Sequence, residues 1–126
     1  MSSKKLYTLG EEISNSITHG IGSLLSMAAL VIMVVVAAIH HNTIGVVTSA
    51  IFGASLIILY TMSTLYHAIS NEKAKKVLKV FDHCTIYLLI AGSYTPFTLV
   101  ALRSINSAKA WVIFSIVWAI AVFGIV

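Results

Sequence analysis

Residues 43–82 read TIGVVTSAIFGASLIILYTMSTLYHAISNEKAKKVLKVFD, and this stretch decides the fold. From Ile44 to Ile69 it carries no Asp, Glu, Lys or Arg. At about 1.5 Å of rise per residue, that is enough helix to cross a bilayer. Ser63 and His67 stand one helical turn apart near its end. A lysine-rich bend follows, with Lys73, Lys75, Lys76 and Lys79 set against Val77, Val80 and Phe81, and it closes on a lone Asp82. Such a pattern predicts a short amphipathic segment at the interface, its lysines reaching out to headgroups. Ionisable side chains close to membrane depth are costly and mark a use.

The rest of the chain has the same character. Of its 126 residues, 59% are hydrophobic and 10% charged, against about 25% charged in soluble domains. The fold class predicted is an all-α membrane protein, a single integral membrane domain over residues 1–126. Its spans fall at about 15–39, 44–69, 82–102 and 110–126. The first apolar run reads as a retained helix and not a cleaved signal. Glu11 and Glu12 interrupt its basic start at Lys4 and Lys5, and the run is longer than a signal core. The net charge of +4 does not indicate nucleic acid, because the lysines are not grouped on a folded polar face. Cys84 is the only cysteine, which excludes an internal disulfide or a cysteine metal cluster.

Residues 1–11 read as a short polar tail. Glu12, Asn15 and His19 then follow at i, i+3 and i+7, so they line one stripe of the first helix. They fit either a polar site or an N-terminal cap and interface anchor. Gly20, Gly22, Ser23 and Ser26 offer small surfaces for a neighbouring helix, as do the pairs Ser49/Gly53 and Ala50/Ala54 in the second span. The adjacent His40 and His41 read as turn residues, since consecutive side chains diverge. Pro96 in the third span removes a backbone hydrogen bond and predicts a kink, with Tyr94 or Thr95 close enough to satisfy the freed carbonyl.

Basic residues set the orientation. Lys4, Lys5 and the four lysines of the bend fall on one side, Arg103 and Lys109 on the other, which places the N-terminus in the cytoplasm. Glu12, Asn15, His19, Ser63, His67 and Asp82 then all fall in the inner leaflet. This convergence predicts one polar site. His67 is a candidate zinc ligand, Ser63 a hydrogen-bond donor to a ligand or bound water, and Asp82 a group to orient or deprotonate metal-bound water. A plain His–Asp contact between helices, with Ser63 bonded back to its own helix, fits the same residues.

In this order, Glu12–Asn15–His19 (E-x-x-N-x-x-x-H), Ser63–His67 (S-x-x-x-H), Asp82–His83 and AGSYTPF from Ala91 to Phe97 resemble the hemolysin III family. That family is the bacterial branch of the progestin and adiponectin receptor group, within a wider set of membrane hydrolases that includes alkaline ceramidases. The resemblance implies a seven-helix bundle, four helices of which are present here, in a bacterial inner (cell) membrane. It implies zinc on the cytoplasmic side, bound by His67 and by an H-x-x-x-H pair in a last helix. This chain has no H-x-x-x-H motif, so the zinc site is expected to be incomplete and the chain to be part of a longer protein, inactive alone. The implied activity is zinc-dependent hydrolysis of lipid amides or esters at the inner leaflet, with Asp82 as base and Ser63 supporting the transition state. A pore-forming or cytolytic protein and a non-enzymatic, metal-stabilised sensor are the alternatives. Membrane lipids are the expected partners, with no nucleic acid, and oligomeric state is left open.

Overall fold

The structure, a computed structural model, describes residues 7–126. Lys4 and Lys5, and most of the predicted tail, lie outside the described residues. Among those described, every regular element is helical.

The first helix, α1, spans Leu9–Ile39 and so begins inside the expected tail. Thr8 starts it. The Glu11 N–H donates to Thr8 Oγ1 at 3.2 Å, and the Thr8 N–H donates to the Glu11 carboxylate at 2.7 Å. This reciprocal box satisfies two otherwise orphaned donors, so Glu12 is left free of any capping duty. With 31 residues, α1 is about 46 Å long and overreaches a hydrocarbon core of about 30 Å, so its polar first turns stand at headgroup level. A three-residue link follows. His41 adopts a left-handed conformation, φ 53°, which histidine tolerates better than bulky residues do. The His40 ring bonds back to the Val36 carbonyl, so the two histidines do act as turn residues. Asn42 then caps α2, Thr43–Ala68, by accepting from the Gly45 N–H at 2.8 Å.

Helices α1 and α2 run antiparallel in close register: Leu30 lies over Gly53, Tyr60 over Gly22, and the Ser23 and Thr61 hydroxyls bond at 2.8 Å. A Cβ on Gly53 would come within 2.8 Å of the Leu30 Cβ. Only glycine permits that approach. Ala50 and Ala54, by contrast, are exposed, so that pair takes no part in the α1–α2 seam.

The third helix, α3, spans Glu72–Pro96. The expected interfacial bend is therefore not a separate element; its lysines form the first turns of the spanning helix. Asn71 accepts from the N–H groups of Lys73 and Ala74, and from there to Asp82 no glycine or proline interrupts a run rich in good helix formers. Beyond Pro96 the winding loosens into a π-helical turn, Phe97–Leu102, then one tight turn, α4, at Arg103–Ile105. Such widening is a usual response to a proline's missing donor. The freed carbonyl is that of Gly92, whereas the Thr95 hydroxyl donates to Ala91 O. Asn106 caps the last helix, α5, Ser107–Ile125. α3 packs Gly92 on Ser55 of α2 and Tyr87 on Gly124 of α5, and Trp118 Nε1 donates to Thr95 Oγ1 at 2.9 Å.

The interior is polar and the exterior apolar. Ser23, Ser26, Thr48, Ser55, Ser63, Thr85, Thr95 and Thr98 are buried, while most of the large aliphatic side chains point outward. In water this would be inside out. In lipid there is no hydrophobic drive between helices, and small side chains that let backbones approach are favoured at the seams. Many of the hydroxyls are satisfied within their own helices, as with Ser26 to Gly22 O and Thr48 to Ile44 O. Four helical rods, α1, α2, the continuous Glu72–Ile105 and α5, are long and apolar enough to cross a membrane.

Candidate functional site

The α1–α2 register that pairs Ser23 with Thr61 brings His19, one turn earlier, to Ser63, two residues later. The His19 Nδ1 and the Ser63 hydroxyl share a hydrogen bond. One further turn toward the N-terminus, Ser16 Oγ reaches the Thr64 carbonyl, and beyond it Glu12 arrives beside His67. The Glu12 Oε1 lies 3.5 Å from His67 Nδ1. His67 is buried, with its ring packed against Tyr66 at 4.8 Å, Tyr7 at 5.2 Å and His19 at 5.9 Å between centroids.

α1 and α3 share no backbone packing among the described residues. What joins them is Lys75. Its ammonium forms an ion pair with Glu12, donates to Tyr66 O at 2.9 Å and sits 4.8 Å above the Tyr66 ring. A single cation thus compensates the Glu12 carboxylate and complements the negative C-terminal end of α2. Without it, Glu12 would be a largely buried, uncompensated charge.

The structure therefore brings together four of the predicted site residues, Glu12, His19, Ser63 and His67. Asn15 is half-buried on the same stripe, and its backbone carbonyl accepts from Thr18. Asp82 is half-buried on α3. The antiparallel register that sets Gly92 against Ser55 carries Asp82 to the level of Leu65 and Tyr66 on α2. Among the described residues, however, its carboxylate makes no hydrogen bond or ion pair with His67. The carboxylate that faces His67 belongs to Glu12. Lys75, Tyr66 and Tyr7 are site residues that sequence reasoning missed. For Lys75 a partial signal existed: it precedes Asp82 by seven residues, two helical turns, and so shares its face, as the exposed Lys79 also does from three residues before Asp82.

One atom stands out. Among the described residues His67 Nδ1 is buried with no hydrogen-bond partner, the Glu12 carboxylate at 3.5 Å being too far for a good hydrogen bond. A buried unpaired nitrogen is costly and calls for an explanation, a bound ion among them. Yet among the described residues no three His, Cys, Asp or Glu side chains are arranged to hold a metal, and zinc takes three or four protein ligands. By themselves these residues do not fit zinc. Among the described residues they present one imidazole nitrogen without a partner, a hydroxyl held by a second imidazole, and a charge-compensated carboxylate.

Comparison with known proteins places this arrangement in context. A family model described as Haemolysin-III related matches residues 7–126. Hemolysin-3 of Bacillus cereus is 45% identical over 116 residues, which cover 92% of this chain and 52% of that protein. A Hemolysin-3 homolog of Bacillus subtilis (strain 168) is 46% identical over 121 residues, 96% of this chain and 55% of that protein. The chain spans about half the length of the curated relatives it matches. No solved structure matches it.

Proposed function

Because the chain belongs to the haemolysin-III-related family and is a multi-pass protein of the cell membrane, we propose that its polar cluster is one part of a zinc-dependent hydrolase site for lipid amides or esters. The observation that carries this reading is the His67 Nδ1, buried beside Glu12 at one end of the bundle and without a hydrogen-bond partner among the described residues. In this reading His67 is one zinc ligand, and the others come from the H-x-x-x-H motif that the family resemblance implies and these 126 residues lack. Asp82 enters as the base and Ser63 as a transition-state donor on the family pattern alone. The excess of lysines at this end over Arg103 and Lys109 at the other supports a cytoplasmic location for the site.

The test is turnover of a panel of lipid amides and esters by a protein of the relatives' full length that carries these residues. His67→Ala is expected to abolish it; turnover at the wild-type rate in that variant overturns the reading. The relatives' names favour a second reading, membrane lysis. It finds less support in the interior, where many of the buried hydroxyls bond to carbonyls of their own helices and so do not line a water path. Dye release from vesicles by the purified protein would favour lysis.

A further inference from the structure

The polar cluster uses one of the four lysines at the start of α3 and leaves three. Lys75 turns inward, whereas Lys73, Lys76 and Lys79 are exposed, and none of the three forms an ion pair among the described residues. Spaced three apart, they make one slowly winding ridge. Glu72 is the one carboxylate on the same exposed strip, so the ridge stays strongly cationic. Beside it Val77, Val80 and Phe81 are also exposed, Val80 at 61%. Three residues beyond Val80 the same helix enters the uncharged run from His83 that crosses the membrane. Along this helix Lys79 lies about 6 Å and Lys73 about 15 Å before His83, which puts the ridge at headgroup level, with Val77 beside it and Val80 and Phe81 on the side nearer the span.

We propose that Lys73, Lys76 and Lys79 form a binding surface for anionic phospholipid headgroups, with Val77, Val80 and Phe81 seated among the first methylenes of the acyl chains. Charge complementarity selects the occupant. An ammonium ridge at the level of lipid phosphates attracts lipids of net negative charge, and a zwitterionic headgroup offsets the attraction with its own cation. The four lysines thus divide their work: Lys75 holds helices together, and the other three choose lipids. This inference is independent of any hydrolytic activity.

The experiment uses the purified protein in phosphatidylcholine bilayers doped with spin-labelled phosphatidylglycerol or spin-labelled phosphatidylcholine, and reads the fraction of each label immobilised at the protein. The wild type is expected to prefer phosphatidylglycerol about fivefold at low salt, roughly the factor that one lysine contributes at an anionic surface. The triple variant Lys73→Gln, Lys76→Gln, Lys79→Gln is expected to lose the preference, and the corresponding triple arginine variant to keep it. Lys75→Gln is expected to retain it despite lower stability. Raising NaCl to about 1 M, where the Debye length is about 3 Å, should collapse the wild-type preference. The salt titration and the arginine variant decide the matter if the glutamine triple does not reconstitute. A wild type that does not discriminate, a preference indifferent to salt, or a glutamine triple that still discriminates overturns the proposal.

Discussion

Removing the Lys75 ammonium, as in Lys75→Met, tests the joint between α1 and α3 while preserving the apolar stem. Three contacts go at once. The charge-assisted hydrogen bond to Tyr66 O at 2.9 Å is worth about 1.5 kcal/mol. The cation over the Tyr66 ring at 4.8 Å adds about 0.5 kcal/mol at a partly exposed position. Glu12, its side chain only 16% exposed, is left without its partner. Full burial would make that loss about 3–5 kcal/mol, and the 26% exposure of Lys75 reduces it to about 1 kcal/mol. The expected destabilisation is about 3 kcal/mol. Glu12→Gln should cost less, about 1–2 kcal/mol, because Lys75 keeps its carbonyl partner. The assay is reversible unfolding in mixed micelles, run as a double-mutant cycle. The double variant should be more stable than the summed singles predict by about 1 kcal/mol. Additivity of the two substitutions to within about 0.3 kcal/mol would refute the joint.

Two further outcomes follow from the packing. Gly53→Val should force α1 and α2 apart against Leu30 and cost about 1–3 kcal/mol of unfolding free energy, whereas Gly10→Ala, with nothing within 4 Å of the added carbon, should stabilise by up to about 1 kcal/mol through helix propensity; equal effects of the two would show that the close approach is absent. Trp118→Phe removes the indole donor to Thr95 and should cost about 1 kcal/mol in the same assay, and an unchanged stability would count against that hydrogen bond.

Much of this architecture is legible in the sequence because lipid imposes a simple rule. The uncharged runs set the number of spans, and the spacing of Glu12, Asn15 and His19 places them on one stripe whatever the neighbouring helix does. The i, i+4 pair Ser63 and His67 is equally local. Partner choice is not local. Glu12 rather than Asp82 faces His67 because the α1–α2 register, set by Gly53 and the three-residue link, carries it there, and no pattern within one helix reveals that. Lys75 reads as one more headgroup lysine in a basic run; only its position on the Asp82 face separates it from Lys76. The early start of α3 was hidden for a related reason. A charged segment with good helix formers can lie along the interface or continue a span, and the Asn71 cap favours the latter. Ala50 and Ala54 match the small-residue pattern as well as Ser49 and Gly53 do, but face outward.

Zinc content measures most directly whether the buried His67 nitrogen is a ligand. A protein of the relatives' full length carrying these residues, purified without added metal and measured by mass spectrometry of the elements, is expected to hold about one zinc per chain. His67→Ala is expected to lose it and Lys79→Gln to keep it. Stoichiometric zinc in His67→Ala would contradict the assignment outright.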